Sequence, residues 1–393
     1  MFDRAADKRA FIKTFGKKPT GRYGASGRIN IIGEHIDYCG GKVLPAALGL
    51  KCYVTAARNG LEEIRLFFKG GALIRLPLDD LPSCKHLKIG NYQAGVAYEL
   101  QQAGVKVVGC DLYYRCEVPF GGALSSSAAI EVSTAIALLS LSDASLSDKE
   151  IALLCQRAEN EFVGVNCGIM DQFISANGKK GCALLLDCDT LDCEDVPVAL
   201  GEYTFLLANC NKPHDLIESK YNERRQETEK ALEIVQKEKK TDCLASLTEQ
   251  ELQAYEKQMP KTVYLRALHV VRENARVQSA VTAMREGDML ALGKLLDDSH
   301  ASLKNLYEVS CEETDALQSS LRKQKGCVGA RMIGGGFGGC VLALVKRANA
   351  DECEQLAKEE YVKQIGYAPT FYPVQIDQGT KTELFSAHNG ETA

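Results

Sequence analysis

Residues 128–141, AAIEVSTAIALLSL, are almost wholly apolar and rich in Ala, Leu and Ile. Such a stretch favours helix, and a helix that is apolar on nearly every side must be buried. Any fold open to this chain therefore wraps other elements around that helix. The chain enters it through VPFGGALSSS, residues 118–127, in which two glycines precede three serines. Glycines let the backbone approach a ligand closely, and the first N–H groups of a helix lack partners and carry a positive dipole end. Together they make an anion cradle, to which serine hydroxyls add donors or a cation ligand. No Lys follows the glycines, so this is not a Walker A loop. The plainer reading is a serine-capped helix after a turn.

At 393 residues the chain is long enough for two domains, or three. Its net charge of −5 and pI near 5.8 give no electrostatic reason to bind nucleic acid. The basic run Lys237, Lys239 and Lys240 lies among glutamates and reads as a solvated helix face. The start, MFDRAADKRAFIKTF, lacks the apolar stretch of a signal peptide, and no window holds 18 uninterrupted apolar residues. No membrane association is expected. Sixteen cysteines are many, yet no CxxC pair occurs. Cys52, Cys155 and Cys340 sit in apolar runs and read as small buried hydrophobes in a reducing cytosol. Order is expected throughout, except in the tail after about residue 383.

Strands are expected at residues 29–32, 51–58, 112–118, 181–187, 203–209 and 370–376, where β-branched and apolar runs are bounded by turn residues. Helices are expected at 148–162, 221–239, 263–286, 289–307 and 351–365. The acids, Pro and Gly of residues 191–201 mark a connection between domains 1–195 and 196–393. No internal repeat is present.

Three further stretches carry chemistry. In residues 27–45, GRINIIGEHIDYCGGKVLP, Arg28, Glu34, His35 and Asp37 crowd into ten positions. Hydrogen-bonding side chains on one short loop suit a polyhydroxylated ligand, though charged surface loops are also common. In residues 164–178, Asp171 falls just inside a helix start among apolar neighbours. It is either a partner of the helix dipole or a reactive carboxylate, and spacing alone favours the former. The run GGGFGG at 334–339 formally matches GxGxxG, but a strand follows it rather than a helix. A dinucleotide site is therefore rejected in favour of close approach to a neighbouring loop or phosphate.

Taken together, GRINIIGEHIDYCGG, PFGGALSSSAAIEV, CGIMDQFISANG, NCNKPHDLIESKYNERR, HASLKNLYEVSCEETDAL and RMIGGGFGGC resemble, in order, the galactokinase family of the GHMP kinase superfamily. The resemblance spans about residues 15–385. It implies a two-lobed α+β fold, with a ribosomal-protein S5-like N-terminal domain and a ferredoxin-like C-terminal domain, and the site in the cleft between them. It implies ATP-dependent phosphorylation of the anomeric hydroxyl of galactose, the first committed step of galactose catabolism. By position, Asp171 corresponds to the catalytic carboxylate and Arg28 to its cationic partner. Glu34, His35, Asp37, Gly168 and Tyr221 correspond to galactose contacts. Gly121, Gly122, Ala123, Leu124, Ser125, Ser126 and Ser127 correspond to the loop around the ATP phosphates, and Ser127 and Glu159 to ligands of Mg²⁺. The expected partners are galactose and MgATP, and the expected state is a cytoplasmic monomer.

Some positions depart from the family pattern. Ser26, Ile36 and Cys39 stand where Pro, Thr and Asn are usual. Ile89 holds the place of an aromatic that often faces adenine, and the chain has no Trp. Two alternatives remain open: a related sugar 1-kinase acting on N-acetylgalactosamine or another sugar, and a non-catalytic galactose and ATP sensor. The unbroken Ser125–Ser126–Ser127 run favours an enzyme over the sensor.

Overall fold

The computed structural model describes residues 3–212 and 217–385. Almost all of the tail expected to lack order lies outside the described residues. The first lobe is built on a six-stranded sheet in the order Thr380–Leu384, Gly21–Asn30, Pro45–Arg58, Cys110–Cys116, Glu63–Phe68, Leu73–Pro77. All its pairs are antiparallel except Glu63–Phe68 with Cys110–Cys116. Helices Ser126–Leu141 and Met170–Asn177 pack against its central strands, which is why every residue of Gly21–Asn30 is buried. The apolar stretch at 128–141 is thus the central helix of this lobe, with most of its residues buried.

The second lobe has a four-stranded sheet in the order Cys327–Ile333, Cys340–Lys346, Tyr203–Asn209, Thr370–Tyr372. Helices Glu312–Arg322 and Ala350–Ile365 share a small apolar core with it around Leu317, Ala330, Val341 and Tyr361. The main core is continuous between the lobes, running from Ile29 and Ile31 to Met332 and Leu342. A boundary at residue 195 would cut the strand Cys193–Pro197, ahead of Tyr203–Asn209. The last strand nevertheless returns to the first sheet, where Gly21 faces Leu384.

Several expected elements change on folding. Residues 191–201 are not wholly a connection, because Cys193–Pro197 pairs with Cys182–Asp187. The strand expected at 29–32 spans Gly21–Asn30 instead, since pairing with Pro45–Arg58 orders the glycine-rich run before it. A strand before the glycine loop, Cys327–Ile333, forms a hairpin with Cys340–Lys346. The helix Met289–Ser302 gives way to a π-turn at Leu303–Tyr307, and helix Asp148–Arg157 to another at Ala158–Val163. The strand expected at 370–376 is only Thr370–Tyr372. Cys52, Cys155 and Cys340 are fully buried, as their apolar surroundings imply.

A buried ion cluster ties the N-terminal helix to the first sheet. Asp7 accepts from Arg22 Nε at 2.8 Å and from Arg115 at 2.7 Å, while Arg22 also bonds Glu383 at 3.1 Å. Asp7 and Arg22 are both almost wholly buried. Asp7→Ala leaves Arg22 short of countercharge inside the protein, and a broken buried pair costs about 3 kcal/mol. Urea denaturation of the variant is expected to show a loss of that size.

Candidate active site

Arg28, on the polar loop, owes its position to a bulge. Pairing between Gly21–Asn30 and Pro45–Arg58 shifts register between Ser26 and Arg28. A side chain at Gly27 would meet Leu124 O at 2.6 Å and Val118 Cγ1 at 2.8 Å, so glycine there lets the serine-rich loop close on the strand. Arg28 N–H donates to Leu124 O at 3.1 Å, and its guanidinium reaches Ala123 O at 2.6 Å.

The same guanidinium holds Asp171 with two bonds, Nε to Oδ1 at 2.9 Å and NH2 to Oδ2 at 3.1 Å. Ser125 Oγ donates to Asp171 Oδ2 at 2.5 Å. The serine run reads as a helix cap, and Ser125 stands at the cap position with φ +60°, but its hydroxyl goes to Asp171. Asp171 lies in the first turn of Met170–Asn177, and its side chain keeps 28% exposure toward a cavity of about 220 Å³. Burial works against charge on Arg28, but Asp171 and Glu34 raise its pKa overall.

Arg28, Glu34, His35, Asp37, Glu159, Gly168, Asp171 and Tyr221 all line that cavity. Gly168 makes room rather than bonds: a Cβ there would stand 1.9 Å from Asp37 Oδ2. Asp37 is pushed up to about 6, by burial first and then by the Asp171 charge. Glu34 is buried, and its carboxylate is bonded by Asn30 and by the Gly334 N–H, with Arg331 at 3.1 Å. His269, on helix Lys261–Glu286, has Nε2 3.0 Å from Glu34 O, and Glu273 of the same helix accepts the Gly33 N–H at 3.1 Å. The second lobe thus clamps the polar loop from behind.

The glycine run explains itself in this setting. Side chains at Gly334 or Gly339 would meet Ala123 Cβ at 2.6 and 2.7 Å. Gly334 and Gly336 also have positive φ, which favours glycine. The run packs on the serine-rich loop, and the expected close approach to a neighbouring loop is what the fold contains.

Ser126 and Ser127 open toward a second, mostly apolar cavity of about 430 Å³, walled by Phe68, Ile89, Tyr92, Phe120 and Ile130. Ile89 and Phe120 are conspicuously exposed, at 60% and 67%. Glu159, on the wall of the first cavity, forms an acidic pair with Glu131. Gln172 Nε2 donates to Glu159 at 2.5 Å and to Glu131 at 3.1 Å. Glu159 is pushed up to about 7 by burial and then by Asp171, while bonds from Cys167 and Ser127 hold it back. Burial and Glu159 raise Glu131 further, and Glu131 Oε1 is buried without a partner. Glu131, Gln172, Arg331, Phe68 and Phe120 escaped the sequence reading. Glu131 alone left a signal, as the one charge in an apolar helix.

A bulge-held arginine, a carboxylate beside it and a serine loop at a helix start, set between two α+β lobes, define a GHMP kinase. The GHMP kinase N-terminal and C-terminal domains match residues 91–179 and 280–363, and the galactokinase galactose-binding signature matches residues 9–58. The chain belongs to the galactokinase family. Galactokinase of Clostridium tetani is 42% identical over 376 residues, covering 95% of this chain and 96% of its own length. That of Enterococcus faecalis is 41% identical, covering 94% and 97%. The crystal structure of Lactococcus lactis galactokinase complexed with galactose superposes with a TM-score of 0.92 at 37% identity, covering 96% of this chain and 99% of that one. Methanococcus jannaschii mevalonate kinase, at 18% identity and TM-score 0.64 over 93% and 99% of the two chains, shares the fold alone.

Proposed function

We propose that this chain transfers the γ-phosphoryl group of ATP to the anomeric hydroxyl of galactose, giving galactose 1-phosphate and ADP. The observation that carries the reading is Asp171, held by Arg28 at the junction of the polar cavity and the serine-rich loop. Asp171 accepts the C1 hydroxyl proton as the oxygen attacks in line. Arg28 stabilises the charge that develops there. Glu34, His35, Asp37 and Tyr221 orient the sugar, with Gly168 leaving space for Asp37. Residues Gly121 to Ser127 receive the phosphates at the helix start. The apolar cavity takes adenine between Ile89, Phe68 and Phe120, so aromatic contact comes from positions other than 89.

Ser127 and Glu159 fit a divalent cation. The unpartnered Glu131 oxygen and the raised Glu159 carboxyl mark a place where negative charge lacks a counter-ion. Among the described residues no group of three or more metal-ligating side chains occurs, which suits a cation shared with nucleotide phosphates. Mg²⁺ bound there would neutralise charge on the transferring phosphoryl group. Glu159→Gln is expected to raise the Mg²⁺ concentration for half-maximal rate about tenfold, read by titrating Mg²⁺ at fixed ATP.

No helix among the described residues is long and apolar enough to cross a membrane. A supply of ATP and sixteen cysteines suit the cytoplasm. ADP release from MgATP, measured with galactose, N-acetylgalactosamine and glucose in parallel, tests the whole reading. Turnover of galactose well above the others supports it, and ligand binding without ADP release would return the chain to a sensor.

Asp37 makes the reaction pH-dependent. Its carboxylate accepts sugar hydroxyls with both oxygens, and most strongly, when ionised, and its pKa is raised to about 6. Below that pH, kcat/KM for galactose is expected to fall tenfold per unit, a limb that Asp37→Asn lacks. The shift opposes stability: what protonated Asp37 contributes below pH 3.8 is lost as the pH rises through 6.

A further inference from the structure

We propose that Tyr38 and Tyr307 are positioning residues that keep the proton of His35 on Nε2, so that His35 donates a hydrogen bond to one sugar hydroxyl. The inference rests on the galactose reading for its ligand, but not for its geometry.

His35 adopts φ +62°, a left-handed conformation that a non-glycine residue keeps only when its surroundings hold it. Its ring is buried, with centroids 4.9 Å from Tyr307, 5.4 Å from Tyr221 and 6.0 Å from Tyr38. Nδ1 is 2.7 Å from the Tyr38 hydroxyl, which is itself 2.7 Å from the Tyr307 hydroxyl. Nε2 is buried, and no described residue bonds it. Burial, then the charges of His269, Arg224 and Arg331, hold the ring's pKa down near 3 against a pull from the Gly335 backbone. The ring is therefore neutral in the working range and carries one N–H.

Counting protons decides which nitrogen carries it. The chain Tyr307–Tyr38–His35 has two possible directions. In one, Tyr307 donates to Tyr38, Tyr38 donates to Nδ1, and with a sugar oxygen at Nε2 every proton is used. In the other, Nδ1–H donates to Tyr38 and Tyr38 donates to Tyr307. The Tyr307 proton is then left without an acceptor on a fully buried side chain, whose hydroxyl has Tyr38 as its one partner among the described residues. A buried donor left unmade is the costlier state, so the first direction prevails. It leaves Nδ1 as acceptor and Nε2–H as donor.

The cavity has use for a donor there. Its wall is rich in acceptors, with Glu34, Asp37 and Asp171 all lining it. Sugar hydroxyls that donate to carboxylates keep lone pairs that must find donors. His35 supplies one, and its partner tyrosines fix the direction of that bond.

Histidine ¹⁵N spectra of the galactose-bound protein test the geometry directly, with His35→Gln locating the signal. A protonated Nε2 and a bare Nδ1 are expected, and a protonated Nδ1 would overturn the proposal. Kinetics test its use. Tyr38→Phe is expected to raise KM for galactose about tenfold while KM for ATP stays within twofold; Tyr307→Phe acts the same way but less. Across 2-, 3-, 4- and 6-deoxygalactose the Tyr38→Phe penalty should vanish for one analogue, the one lacking the hydroxyl that His35 meets. An equal penalty for all four, or one shared with ATP, would assign Tyr38 a merely structural role. Failure of the galactose reading itself is distinct: the wild-type protein would not turn galactose over, whatever the nitrogen spectrum shows.

Discussion

Asp171→Asn is expected to lower kcat by about three orders of magnitude or more while the protein stays folded. Asparagine keeps the size of the side chain and one acceptor oxygen. It loses the negative charge that Arg28 grips at 2.9 and 3.1 Å, and it cannot take up the sugar proton. Positioned proton transfer contributes roughly 10² to 10⁴ in rate, and a misdirected Arg28 adds to the loss. Galactose KM should change far less, because the contacts proposed for Glu34, His35 and Asp37 remain. Unchanged near-UV circular dichroism with a collapsed kcat is the expected pair of results. A variant that keeps a tenth of the wild-type kcat would show Asp171 acting mainly as an anchor for Arg28.

Gly168→Ala has the second largest expected effect, by a different route. The added methyl would stand 1.9 Å from Asp37 Oδ2 and 2.3 Å from its Cγ, well inside contact distance. Asp37 must move by more than an ångström, or the loop before Met170 must. Displacements of that size near reacting groups cost about 100-fold. The expected result is a fall of that order in kcat/KM for galactose, carried mostly by KM. A smaller loss in Gly168→Ala/Asp37→Ala than the two single changes predict together would show that the methyl acts through Asp37, as a double-mutant cycle requires.

Much of the site was legible because it lies in short contiguous runs. Arg28 to Asp37 occupy ten residues, and Gly121 to Ser127 seven. Local chemistry marks such runs. Glycines stand where backbones touch, serines where a helix begins, and polar groups crowd where a polar ligand binds. The fate of Ser125 was not legible. A serine before an apolar helix reads as a cap, but Asp171 comes from 46 residues away and takes its hydroxyl. Arg331 reads as a strand residue beside glycines; only packing puts its guanidinium on Asn30 O and Ile31 O, at 2.8 and 3.0 Å. Tyr307 lies on a π-turn that interrupts a helical pattern, and periodicity carries no signal for the extra residue in such a turn.

The adenine side shows the same division. The sequence marked Ile89 as an apolar residue in an aromatic's place and left the contact open. Folding brings Phe68 from the end of one strand and Phe120 from the turn before the serine-rich loop to the same cavity. Their positions in the chain, 31 residues from Ile89 in one direction and 21 in the other, hide that meeting.

Read alone, the sequence determined a chain with a buried helix, an anion cradle at its start, a polar loop and a family. Each of those is a property of neighbours in the chain, where glycine freedom, helix ends and side-chain polarity act over a few residues. The tertiary structure alone decided how the pieces bear on one another. It set Arg28 against Asp171, the glycine run against Ala123, and the Tyr307–Tyr38–His35 chain beside the cavity. Those choices follow from burial: once groups distant in sequence are enclosed together, each must find a partner for its charge or its proton, and the partner is whichever group the packing supplies.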